Sequence, residues 1–129
     1  MDKLYYDSGT RWEPLVGYSR AVRVGNHVMV SGTTATDANG ELVGEGSAFE
    51  QTVQILKNIE RALVNVGASI TDVVRTRIYV VNIDDWKKVG EAHSRMFGEI
   101  RPASTMVEVS RLVDSKILVE IEAEAIVTS

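Results

Sequence analysis

Cysteine is absent from this 129-residue chain. That excludes a disulfide framework, a thiolate nucleophile and any Cys-ligated zinc or iron–sulfur site. There are two histidines, His27 and His93, too few for a His-rich metal centre. We therefore expect no metal and no cofactor. Aromatic residues make up only 6%, so the core must be mostly aliphatic. No apolar run approaches the ~20 residues of a membrane helix. The segment Met1-Asp2-Lys3-Leu4-Tyr5-Tyr6-Asp7 has no apolar centre that could serve as a signal peptide, so a cytoplasmic location and no membrane contact are expected. Positive charge is in deficit, with 14 Lys+Arg against 18 Asp+Glu and a net charge of −4. Such a chain is repelled by phosphate backbones unless its bases are focused on one face, so nucleic acid is not the expected partner.

What is present suits one globular domain over residues 1–129: 44% hydrophobic residues, 25% charged, no repeat and no linker. Arg20–Val24 and Val28–Ser31 are β-branched runs separated by Gly25-Asn26, which predicts a hairpin. Thr33 to Gly46 reads as a loop turning at Asn39-Gly40. Ser47 and Glu50 have the spacing of a capping box ahead of a helix over about 48–66, with Phe49, Val53, Leu56, Ile59/Leu63 and Val66 as its stripe. Residues 72–81 alternate as a strand. Asp84 or Asp85 caps a second helix running to about Phe97, with Trp86, Val89, His93 and Met96/Phe97 inward and Gly90 as a weak point. Ala103–Val109 and Leu118–Val127 complete the order β-β-α-β-α-β-β, an α+β mixed sheet with two helices on one face.

The last strand points Val119, Ile121, Ala123, Ala125 and Val127 one way and Glu120, Glu122 and Glu124 the other, with the acids ~7 Å apart. Arg75 and Arg77 could offset this ladder if the two strands are neighbours. Val73, Tyr79, Val81 and Met106 are expected on the face away from the helices, where burying them needs a partner. A glutamate partly desolvated there would have a raised pKa and could exchange protons near neutrality. His93, on an apolar stripe, reads as a packing residue, and His27 as exposed.

Ordered motifs run through nearly the whole chain. They are Gly17-Tyr18-Ser19-Arg20-Ala21, Ser31-Gly32-Thr33, Gln51 with Leu56-Lys57-Asn58-Ile59, Gly67-Ala68-Ser69, Pro102-Ala103, Val107-Glu108-Val109, Arg111-Leu112 and Val119-Glu120-Ile121-Glu122-Ala123. In this order the sequence resembles the RidA/YjgF family, the reactive intermediate deaminases also labelled endoribonuclease L-PSP. The resemblance implies a chorismate-mutase-like fold and a homotrimer with a barrel-like centre, with clefts between subunits that take a small, anionic metabolite. It implies hydrolysis of imine or enamine acids such as 2-aminoacrylate, in which an arginine clamps the carboxylate and a glutamate handles water. Carried over by position, Glu120 is the catalytic candidate. Tyr18, Gly32 and Trp86 are candidate cleft residues.

One departure bears on function. The family's arginine follows Pro-Ala, but here Pro102-Ala103 is followed by Ser104-Thr105. Met106 stands at a usual cysteine position. Ser104, Thr105 and Met106 would line the cleft without a charge, and Arg20 is the candidate to replace the clamp, unless it pairs with the glutamate ladder. A deaminase or hydrolase of altered substrate is the first expectation. A non-catalytic, metabolite-binding trimer is the alternative, and an endoribonuclease the least favoured.

Overall fold

The computed structural model describes residues 2–128. The chain runs β1 (Lys3–Tyr6), α1 (Trp12–Val16), β2 (Ala21–Val24), β3 (His27–Thr33), α2 (Ala48–Asn65), β4 (Val73–Val80), α3 (Trp86–Phe97), β5 (Ala103–Glu108) and β6 (Val119–Ile126), with short 3-10 turns before β4 and α3. The six strands form one sheet in the order β1-β2-β3-β6-β4-β5. All pairings are antiparallel except β4 with β5. The expected α+β arrangement is therefore present, extended by an N-terminal strand and a five-residue helix. No helix among the described residues is long and apolar enough to cross a membrane.

The hairpin turns at Gly25-Asn26, where Gly25 adopts φ 61°, a conformation that favours glycine. Only half of the expected capping box forms at α2. The Ser47 hydroxyl accepts from the Glu50 amide at 3.1 Å, but the Ser47 amide donates to the Gly44 carbonyl instead of to Glu50. The inward face of α2 is also rotated from the expected stripe. Ile55, Leu56, Ile59 and Leu63 are buried, together with Gln51 and Thr52, whereas Phe49 and Val53 are half-exposed. Buried Gln51 links the loops: its amide group donates to the carbonyls of Gly44 and Lys116, and its oxygen accepts from the Leu118 amide at 2.9 Å. These bonds fix the entry into β6.

At α3 neither aspartate caps with its side chain. Asn82 accepts from the Asp84 amide at 3.0 Å and starts the preceding 3-10 turn. A Cβ added at Gly90 would meet nothing within 4 Å, so no close approach within the chain explains that glycine.

The aliphatic core lies between the helices and one face of the sheet, with Val119, Ile121, Ala123 and Ala125 of β6 buried. The glutamates of β6 alternate to the other face as expected, and the two Arg–Glu strands are neighbours. Arg77 lies 3.0 Å from Glu124, and Arg75 lies 3.8 Å from it. Of the residues expected on this open face, Tyr79 is there, hydrogen-bonded to Glu122. Val73 and Met106 are not. Between the pairs Val73–Ala125 and Arg75–Glu124, β4 advances two residues while β6 advances one. This bulge turns Val73 into the core and leaves Val74 exposed. Met106 sits beside Ile78 and packs on the core. Val81 follows the end of β4 and is half-buried.

Candidate functional site

A second bulge builds the site. Between the pairs Val30–Ala123 and Thr33–Ile121, β3 advances three residues and β6 two. The extra residue on β3 aims the Gly32 carbonyl at Arg20, whose Nη1 donates to it at 2.5 Å. Gly32 has no side chain for a definite reason: a Cβ there would overlap the Glu120 carboxylate. Tyr18, Arg20, Gly32 and Glu120 are thus brought to one end of the sheet.

Arg20 is buried, with 6% of its surface exposed. A guanidinium has five N–H donors. Here Nε faces the Ser8 hydroxyl, Nη1 faces the Gly32 carbonyl and the Thr33 hydroxyl, and Nη2 faces the Tyr18 hydroxyl and the Glu13 carboxylate. A guanidinium so engaged has little left for a substrate carboxylate. Its acidic partner is Glu13 of α1, not a member of the β6 ladder.

Glu13 was invisible to sequence reasoning, and it is nearly fully buried. Burial alone would raise its pKa. Hydrogen bonds from Ser8 and Thr10 outweigh that and lower it to about 2. The segment 8–13 therefore folds around a carboxylate that stays ionised and holds Arg20 in place. The only advance signal was Ser8, Thr10 and Glu13 lying close together in the sequence.

Glu120 has the opposite balance. Burial pushes its carboxyl up, the Arg20 charge opposes this, and the Glu122 charge adds to it. The net is a carboxyl above the ordinary glutamate range, with Gly32 on one side and the guanidinium near. Such a group can take a proton from water and return it to a leaving group. On the same face, the hydrogen bond to Glu122 raises the Tyr79 pKa.

The remaining candidates lie elsewhere. Ser104 pairs with Thr76 and Met106 with Ile78, both on the helix side of the sheet, whereas Glu120 pairs with Tyr79 on the other side. Thr105 pairs with Arg77 and shares the face of Glu120, two strands away on the sheet edge. Trp86 begins α3, 54% exposed, with Lys87 over its ring. One copy of the chain thus places Ser104 and Met106 on the opposite face of the sheet from Glu120. Ser104 is joined through Thr76 to His93, which sequence reasoning treated only as packing. His93 does pack, with its ring against Phe97. Among the described residues, no group of three metal-ligating side chains is gathered.

A mixed six-stranded sheet backed by two helices, with a desolvated carboxylate over a glycine bulge at its end, defines an α+β protein of RidA/YjgF architecture. The chain belongs to the Endoribonuclease L-PSP family, the RidA/YjgF family, whose profile matches residues 8–127. A solved structure of a YjgF/YER057c/UK114 family member from Mycobacterium tuberculosis is similar, with a TM-score of 0.90 and 48% identity over 98% of this chain and all of that one. The human 2-iminobutanoate/2-iminopropanoate deaminase is 36% identical over 110 residues, 84% of this chain and 79% of its own length. The 3-aminoacrylate deaminase RutC of Acinetobacter baylyi is 35% identical over 112 residues, 87% of this chain and 88% of its own length.

Proposed function

We propose that the protein hydrolyses a small imine or enamine to a carbonyl compound and ammonia, with Glu120 as the group that handles water. The observation that carries this reading is the raised, half-buried Glu120 carboxyl held against Gly32 and within the field of Arg20. In the balanced reaction, Glu120 takes a proton as water adds to the C=N carbon. The C=N group reacts in its protonated form, so this addition gives a neutral carbinolamine. Glu120 then returns its proton to the nitrogen, the C–N bond breaks, and ammonia leaves and takes up the hydroxyl proton as C=O forms. An enamine enters the same route by tautomerising to the imine. The names of the human and Acinetobacter relatives, both deaminases of such acids, support the class of reaction.

The site is completed by a second copy in a homotrimer. Ser104, Met106 and Glu120 lie on opposite faces of one sheet, so a neighbouring chain is the simple way to bring them to one cleft. The open face also leaves Met29 and Val107 exposed, apolar area that a neighbour would cover. Tyr18 then bounds the cleft beside Arg20, and Thr105 and Trp86 lie toward its rim. A cysteine-free chain of this kind suits the cytoplasm.

Ser104 replaces the clamp with an uncharged hydroxyl, so the substrate differs from that of an arginine-bearing relative. The test is to supply unstable imines and enamines generated in situ and follow ammonia, with Glu120→Gln as control. Turnover lost in that variant supports the enzyme. Binding without turnover across the panel favours the non-catalytic module, a reading to which the engagement of Arg20 lends weight. RNA cleavage is not favoured by a net charge of −4.

A further inference from the structure

Ser104 stands at the end of a hydrogen-bonded relay. The Thr76 hydroxyl donates to Ser104 Oγ at 2.8 Å, and Thr76 Oγ1 lies 2.9 Å from His93 Nε2. Thr76 has one hydroxyl proton, and Ser104 receives it. His93 must then donate through Nε2–H, which fixes its tautomer. Thr76 is fully buried and His93 is partly so, while Ser104 lies exposed on an edge strand. The relay runs outward, from His93 to Thr76 to Ser104, and leaves the Ser104 proton free to be donated into the cleft.

Within one copy of the chain, the three side chains of the relay pair with no charge. Burial depresses the His93 pKa and so favours the neutral ring. Among the described residues, no ion pair or cation–π contact involves residues 76, 93 or 104. The only charged side chain of β5 is Glu108, an acid. A carboxylate moved from water to this spot would lose hydration and gain one neutral hydrogen bond, a poor exchange. A carbonyl or amide oxygen has far less hydration to lose and accepts the same bond.

We propose that His93, Thr76 and Ser104 form a relay that makes position 104 an uncharged hydrogen-bond donor, so that the ligand group taken there is a neutral carbonyl or amide and not a carboxylate. This rests on the reading above that Ser104 faces the ligand, and it departs from the anionic metabolite that the family resemblance implies. The substrate class becomes neutral imines and enamines bearing an amide, ester or ketone oxygen. Thr76 and His93 are positioning residues, acting through Ser104.

The test compares pyruvate with pyruvamide, which differ only in the group that position 104 would meet. Binding is measured by calorimetry on the intact protein. Wild type is expected to bind pyruvamide more tightly than pyruvate. Ser104→Arg reverses the preference by about tenfold or more, as a charge-assisted pair replaces a neutral one. Ser104→Ala removes the preference, and because residue 104 is exposed this variant keeps the readout if a core variant fails to fold. Thr76→Val weakens pyruvamide by about fivefold, the worth of one neutral hydrogen bond, and Thr76→Ser restores it. Nitrogen NMR of His93 should show Nε2 protonated in wild type and in Thr76→Ser, and altered in Thr76→Val.

Three results would each overturn the proposal: tighter binding of pyruvate by wild type, as a cation reaching in from elsewhere would give; binding of neither compound; or a Thr76→Val protein indistinguishable from wild type. The deaminase reading fails separately, through absence of ammonia release. A pyruvamide preference with no turnover keeps the relay and removes the enzyme. Glu120-dependent turnover with a pyruvate preference does the reverse.

Discussion

The Glu120 carboxylate fills the space that a side chain at position 32 would need. Gly32→Ala therefore displaces the proposed water-handling group without altering its chemistry. Ammonia release should fall by about tenfold or more while Tm moves little, because a misplaced reacting group is costly even when the fold is kept. Parallel thermal melts and turnover assays decide this. A variant that keeps full turnover would separate Glu120 from the reaction.

Glu120→Gln should lower turnover by about 10²–10⁴-fold, the usual worth of a positioned acid–base group. It should also stabilise the protein at neutral pH. A carboxyl whose pKa is raised by folding contributes stability below its unfolded pKa and loses it as pH rises through the folded one. The variant lacks that loss, so its Tm should exceed that of wild type at pH 7, and the gap should close below about pH 4. Melting curves across pH test the sign directly.

Glu13 has the opposite linkage. Its pKa is lowered to about 2, so its stabilisation is present above the unfolded value near 4.5 and lost as pH falls from there toward 2. Urea unfolding of wild type should show this acid loss, and Glu13→Gln should not. At pH 7 the variant should be less stable by about 3–5 kcal/mol, because Arg20 is left buried without its anion. Equal stability of the two proteins at pH 7 would mean that Arg20 finds another partner.

Hydrolysis of 2-aminoacrylate generated in situ should barely be accelerated by wild type, because Ser104 offers no charge to grip a carboxylate. Ser104→Arg should raise it by about tenfold or more, since a guanidinium grips a carboxylate bidentately. Wild-type turnover matching an arginine-bearing relative would contradict the altered-substrate reading.

Light scattering should give a particle of three times 14.2 kDa. A stable monomer with full activity would show that the proposed site needs no neighbour.

Much of the fold was legible because periodicity carries it. The hairpin at Gly25-Asn26, the long helix from Ala48 and the alternating glutamates of β6 all fall where a simple pattern puts them. What escaped was short or depended on register. Lys3–Tyr6 has four residues and Trp12–Val16 five, with Pro14 inside, too little for a period to show. Val73 and Val74 exchanged faces because one bulge residue resets the alternation, and no local sequence feature announces it. The grouping of Tyr18, Gly32 and Glu120 was readable by resemblance. The pairing of Arg20 with Glu13 was not, since the turn between them is set by backbone bonds from Gly17 and Tyr18 to the Glu13 carbonyl. Separating Ser104 from Glu120 required knowing which strands are neighbours.

Residues 8–13 are where the chain would ordinarily be judged free to alter, since they precede the first long hairpin. Yet they carry the carboxylate that fixes Arg20, and Arg20 fixes the Gly32 carbonyl beside Glu120. Affinity tags, fusions or trimmed variants that disturb this stretch are thus alterations to the surroundings of Glu120, the proposed water-handling group. Preparations that differ only at their leading residues should be compared for activity before any internal substitution is interpreted.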